Sequence, residues 1–108
     1  MVEGDVASDL PNLSLGPDDQ KLLIETCTHI YHVAAFISFA AHLQDTLKIN
    51  LKGSQAVLHL ARQMKRLKSM VHVSTAYLNC VVGSENSTFE EKIYPIEVDP
   101  VEVLESVR

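Results

Sequence analysis

Thr28 to Ala35 reads THIYHVAA, and Met70 to Ser74 reads MVHVS. Both stretches are rich in β-branched and apolar residues along their length, the composition of parallel strands covered on both faces. Each runs out into small or hydroxylated residues, Ala34-Ala35 after the first and Ser74-Thr75-Ala76 after the second. Between them lies the longest periodic signal in the chain, from about Ala41 to Arg66. Leu43, Leu47, Leu51, Val57, Leu58, Ala61 and Met64 recur there at the three-and-four spacing of one helix face. Gly53 interrupts that helix, where it costs about 1 kcal/mol relative to Ala, so a packing reason is expected for it.

Working outward, Met1 to Val6 reads as the tail of a strand that turns at Gly4-Asp5, and Ala7 to Pro17 as a loop. A short helix opens at Pro17, capped by Ser14 or Gly16, with Asp18 and Asp19 at its positive end. Leu22, Leu23 and Thr26 would be its inward face. Beyond the second strand, Val81 to Thr88 is turn-rich, Glu90 to Pro100 irregular, and Pro100 to Arg108 starts another helix. Alternation of strand and helix predicts an α/β fold with a parallel sheet and helical crossovers.

The chain has 108 residues, 46% of them apolar, which is room for one core. A net charge of -5 excludes the basic field that nucleic-acid binding needs, so no nucleic-acid partner is expected. The longest apolar run, Ile30 to Ala41, is broken by His32 and Ser38 and falls short of the roughly 20 residues of a membrane span. Met1 to Asp5 carries no basic or apolar signal pattern. Cys27 and Cys80 stand apart, with no CxxC spacing, and the five histidines lack a converging carboxylate or thiol, so no metal site is expected. Arg62, Lys65, Arg66 and Lys68 read as a solvated helix end.

In open parallel sheets, ligands bind beyond the carboxyl ends of the strands. Three groups of residues fall there: Gly4-Asp5-Val6, His32 to Ala35, and Ser74 to Tyr77. An Asp at a strand end can accept a hydrogen bond from an exocyclic amine such as adenine's. Small residues let backbone approach a ribose or pyrophosphate, and hydroxyls can hydrogen-bond a carbonyl oxygen as charge develops on it. Asn50 is a fourth candidate, on the apolar stripe between Leu47 and Leu51, where an unpartnered amide would cost about 1–3 kcal/mol. Its side chain either mends backbone hydrogen bonds in a helix loosened by Gly53 or serves an active site. The residues alone leave both open.

These residues, in this order, resemble the extended branch of the short-chain dehydrogenase/reductase superfamily and, more closely, the eukaryotic fatty acyl-CoA reductases. The matching text is VEGDV at Val2 to Val6, HVAA at His32 to Ala35, INLKGS at Ile49 to Ser54, HVSTAYLNC at His72 to Cys80, EEKIYP at Glu90 to Pro95, and VDP at Val98 to Pro100. The resemblance implies part of a doubly wound parallel-sheet (Rossmann-type) NAD(P)-binding domain, with residues 1–108 an internal segment incomplete at both ends. In the strand order 3-2-1-4-5-6, the strand ending at Val6 would be third and the other two fourth and fifth.

By position, the resemblance places Asp5 and Val6 beside the adenine of NADPH and Val33, Ala34 and Ala35 along its ribose. It makes Asn50 the residue that helps hold a water in the proton relay and Thr75 the catalytic hydroxyl, with Ser74 as the neighbouring alternative. The implied reaction is reduction of a long-chain fatty acyl-CoA by NADPH to a fatty alcohol. The family's glycine-rich turn is not found in these residues. Nor is its Y-x-x-x-K pair, because Tyr31, Tyr77 and Tyr94 are followed four residues later by Ala35, Val81 and Val98. The chain by itself is therefore expected to be an inactive fragment. The resemblance also suggests peroxisomal or endoplasmic-reticulum membrane association, through parts outside this chain. Two alternatives stand beside this reading. One is another extended-branch enzyme acting on a sterol or sugar nucleotide, against which the EE-x-x-YP text speaks. The other is a short non-catalytic binding module that dimerises over its sheet edge.

Overall fold

The computed structural model describes residues 1–78, 88 and 90–107. Its elements in chain order are α1 (Pro17–Thr26), β1 (His29–His32), α2 (Leu43–Leu47), a π-helical turn (Lys48–Gly53), α3 (Ser54–Gln63), β2 (Ser69–His72) and α4 (Pro100–Ser106). β1 and β2 pair in parallel, with His29 opposite Ser69 and His32 opposite His72. The crossover between them is the long helical segment, as the α/β pattern requires. One further rung, Val73 N–H to His32 C=O at 3.0 Å, extends the ladder past β2.

Local chemistry explains the helix ends. Pro17 supplies the fixed φ of a first helical residue, and Asp18 and Asp19 lie at the positive end of the α1 dipole. Gly16, not Ser14, is the capping residue. Leu23 and Ile24 form the inward side of α1, whereas Leu22 and Thr26 are exposed, a correction to the expected face. Lys65 N–H to Ile24 C=O and Lys68 N–H to Thr28 C=O, at 3.1 and 2.8 Å, tie the end of α1 to the turn that leads into β2. In α4, Asp99 caps the helix by accepting from Val101 N–H at 2.7 Å.

The core is built by Leu13, Leu15, Val57 and Leu60, with Val2, Val6, Leu23, Ile24, Ile30 and Met70 among the half-buried residues packed on it. Two of its four buried members come from the segment read as loop. That segment folds back through Asp5 N–H to Leu13 C=O at 2.8 Å and Asn12 Nδ2 to Leu15 C=O at 3.0 Å. Leu13 and Ser14 take left-handed backbone, at φ 59° and 56°. Such a conformation costs roughly 1–2 kcal/mol per non-glycine residue, here offset by burying two leucines.

Two expectations are overturned. Met1 to Val6 forms no strand. A strand needs a ladder partner, and Asp5 instead spends its N–H on the Leu13 turn. The sheet is also covered on one face only by the described residues. Ile30, His32 and Met70 turn inward, while Tyr31 and Val71, opposite each other in the register, stay exposed. Among the described residues, no helix is long and apolar enough to cross a membrane.

Candidate functional site

The carboxyl end of β1 is fixed by the helix that follows it. His32, the last residue of the strand, is buried, and its ring lies 5.1 Å from the ring of His72 on β2. On its other side His32 Nε2 meets Ser54 Oγ at 3.0 Å. The Ser54 hydroxyl has one proton and donates it to the Asn50 backbone C=O at 2.8 Å. Ser54 Oγ therefore accepts from His32, which requires the proton on Nε2. Burial lowers the pKa of His32, and the neighbouring His72 pushes it the same way, so the ring is held in its neutral form near neutral pH.

Asn50 sits in the π turn and reaches across to the loop that leaves β1. Its Oδ1 accepts from Phe36 N–H at 2.7 Å, and its Nδ2 donates to Phe36 C=O at 3.0 Å. One side-chain amide thus satisfies both backbone groups of one residue, as a neighbouring strand would. Asn50 does mend backbone hydrogen bonds, but those of the β1 loop, not those of its own helix. One Nδ2 proton and one lone pair on Oδ1 are left unused by these bonds. π turns of this kind recur at functional sites.

Gly53 has the packing reason that its position predicted. A Cβ there would lie 2.6 Å from the Val6 carbonyl oxygen and 3.3 Å from Val6 Cβ, so only glycine lets the N-terminal segment close on the helix. Asp5, next to that contact, is exposed. Its Oδ1 accepts from Ala7 N–H at 2.8 Å, which leaves Oδ2 free of any partner among the described residues. Asp9 holds the same segment against the π turn by pairing with Lys48 and Lys52 at 3.2 and 3.0 Å. Those two lysines keep the Asp9 carboxyl below the usual carboxylate range.

The carboxyl end of β2 is different. Ser74 and Thr75 are exposed. Thr75 Oγ1 accepts from Tyr77 N–H at 3.2 Å, a bond within its own turn. Among the described residues no hydrogen bond joins Ser74 or Thr75 to Asn50 or to Val33, Ala34 and Ala35. Direct contacts therefore bring together Val6 and Gly53, His32 and Ser54, and Asn50 and the residue after Ala35. Parallel register alone aligns the two strand ends. Ser54 was not among the expected site residues, and His32, though placed at a strand end, was given no role of its own. The signal that could have marked Ser54 is its spacing of four from Asn50, which places both on one helix face.

The model of an NAD-binding family described as male sterility protein matches residues 1–107. The chain belongs to that family. Its curated relatives include fatty acyl-CoA reductase 1 of Xenopus laevis, 36% identical over 94% of this chain and 19% of that protein. The same enzyme of Pongo abelii is 35% identical over 90% of this chain and 18% of its own length. Fatty acyl-CoA reductase 2 of Mus musculus is 38% identical over 83% of this chain and 16% of its own length. The resemblance stated from the motifs is thus borne out, and the chain spans about a fifth of the length of the relatives first matched. No solved structure gives a significant match.

The residues present suit the adenosine side of a nicotinamide dinucleotide, the cofactor class of the family. Asp5 offers a solvent-facing carboxylate oxygen with nothing bonded to it, the acceptor that an exocyclic amine requires. Val33, Ala34 and Ala35 are exposed on a loop whose far end is clamped at Phe36, so small side chains front a fixed backbone.

Proposed function

We propose that residues 1–108 are an internal segment of a doubly wound, Rossmann-type NADPH-binding domain in an alcohol-forming fatty acyl-CoA reductase. The observation that carries this reading is the clamp of Asn50 on the β1 loop. It sets a candidate active-site residue and the candidate ribose-side residues in one rigid unit at the carboxyl edge of a parallel pair. The names of the relatives support the substrate class, a fatty acyl-CoA.

On this reading Asp5 Oδ2 would accept from the adenine amine, Val6 would flank the adenine, and Val33, Ala34 and Ala35 would line the ribose side. Thr75 Oγ1 already accepts from Tyr77 N–H. Its own proton is therefore free to donate to the thioester carbonyl oxygen as negative charge grows there. Ser74, one residue earlier, is the alternative donor. Asn50 holds a water with the side-chain amide capacity that Phe36 leaves it. NADPH, when bound, would supply one hydride to take the thioester to the aldehyde with release of CoA thiol, and a second NADPH would supply another to take the aldehyde to the alcohol. No tyrosine of this chain has a lysine four residues on, so the proton donor comes from elsewhere in the enzyme. Any attachment to a peroxisomal or endoplasmic-reticulum membrane likewise belongs to other parts of it.

The test is a reductase assay on the intact protein with NADPH and a long-chain acyl-CoA, following NADPH absorbance, free CoA thiol and fatty alcohol. All three should change together, and NADH should replace NADPH poorly. NADPH oxidation that demands a sterol or sugar nucleotide instead would overturn the reading. The 108 residues alone should neither bind NADPH nor turn over acyl-CoA.

A further inference from the structure

We infer that His32 and Ser54 are positioning residues for Asn50, holding the π turn so that its amide meets Phe36 and its spare hydrogen-bonding capacity faces the reacting centre. The inference rests on the role proposed above for Asn50. Neither residue is placed to touch a ligand: His32 is buried and Ser54 half-buried between strand and helix. What they form is a chain of directed bonds. His32 Nε2–H points at Ser54 Oγ (3.0 Å), and the Ser54 hydroxyl points at the Asn50 carbonyl (2.8 Å). The Asn50 amide then grips Phe36 through both of its polar atoms.

A serine hydroxyl alone rotates among several acceptors. With one of its two lone pairs taken by an imidazole fixed in β1, the proton is kept from that side and points toward Asn50. Ser54 is also where the π turn hands over to α3. A hydroxyl returned to the carbonyl four residues back tends to bend a helix, in keeping with the departure from α geometry at that junction. The network therefore links the end of the strand to the helix at the one place where the helix departs from α geometry.

The experiment compares S54A with S54T, and H32F with H32Q, in the intact protein, with NADPH and a long-chain acyl-CoA as substrates. The second member of each pair retains the hydroxyl or an N–H donor. S54A and H32F should lower kcat by about tenfold or more while KM for NADPH moves by less than about threefold. At least one of S54T and H32Q should recover most of the lost kcat. Selective 15N-histidine NMR of the parent should show His32 protonated on Nε2 with Nδ1 bare. Parent-like kcat in both S54A and H32F, failure of both conservative variants to outperform their partners, or a proton on Nδ1 alone would each overturn the inference. A parent that reduces no acyl-CoA would instead sink the proposed function, and the NMR measurement would still decide the tautomer.

Discussion

The two strand ends lie side by side in register, yet they are held in different ways. Beyond β1, the backbone is fixed by bonds that span 14 and 22 residues of sequence, from Phe36 to Asn50 and from His32 to Ser54. Beyond β2, Thr75 is held by a bond to a residue two positions on, and Ser74 and Thr75 face solvent. On the proposed function, the contrast separates two jobs. A surface that recognises a cofactor gains from being rigid before the ligand arrives, because less order is then lost on binding. A hydroxyl that meets a substrate can be completed by whatever closes over it.

The hardest blow to that contrast would come through Gly53. Replacing it with Ala puts a methyl group against the Val6 carbonyl, and the forced backbone shift should cost about 1–3 kcal/mol in urea unfolding of the intact protein. Unchanged stability would mean that the N-terminal segment is not seated on the helix. Next in size, Asn50→Ala leaves the Phe36 N–H and C=O without partners in a half-buried site, a loss of about 1–3 kcal/mol. Asn50→Asp keeps the acceptor for Phe36 N–H but not the donor, so it should fall between Ala and the parent. Amide hydrogen exchange at Phe36 reads this directly, and equal protection in parent and Ala variant would refute the clamp.

pH separates the two ends as well. His32 titrates below its ordinary 6.5 because the folded state disfavours its charged form. Stability is therefore complete above about pH 6.5 and is lost as pH falls from there through the lowered native value. A Tm series across that range should show the decline in the parent and a weaker one in His32→Gln. At the other strand end, Thr75→Val should change unfolding free energy by no more than about 0.5 kcal/mol, because the side chain is exposed. Reductase activity should nevertheless fall sharply, and retained activity would move the catalytic role to Ser74. Smallest of all, Asp9→Asn should leave Tm unchanged, since its pairs with Lys48 and Lys52 are solvated.

Much of this was legible in the sequence, for reasons particular residues make plain. The parallel pair shows in Ile30, Val33, Val71 and Val73, and the long helix in its apolar spacing, because burial of a repeating element leaves a periodic mark. Asn50 was conspicuous as an amide on an apolar stripe. Its partner was not, since a bond to backbone constrains no side chain at Phe36. His32 and Ser54 left no joint signal across 22 residues. Leu13 and Leu15 were read as loop because a Pro- and Gly-rich stretch has no period to reveal that it folds inward. The strand expected at Met1 to Val6 failed for the opposite reason: its local composition suits a strand, but a strand exists only beside another.

The apolar stripe jumps from Leu51 to Val57, and the π turn from Lys48 to Gly53 runs into that jump. A π turn holds more residues than an α turn, and each residue of an α-helix advances the face by about 100°. The turn therefore acts as a phase shifter, setting Asn50 toward Phe36 on one side of it and Val57, Leu60 and Ala61 toward the core on the other. Deleting a single residue between Lys48 and Gly53 would restore a regular helix and improve its local hydrogen bonding. Because the π turn absorbs about one extra residue, the two flanking faces would keep nearly their present orientation, whereas the same deletion within the regular turns of α3 would swing one part by about 100° against the other.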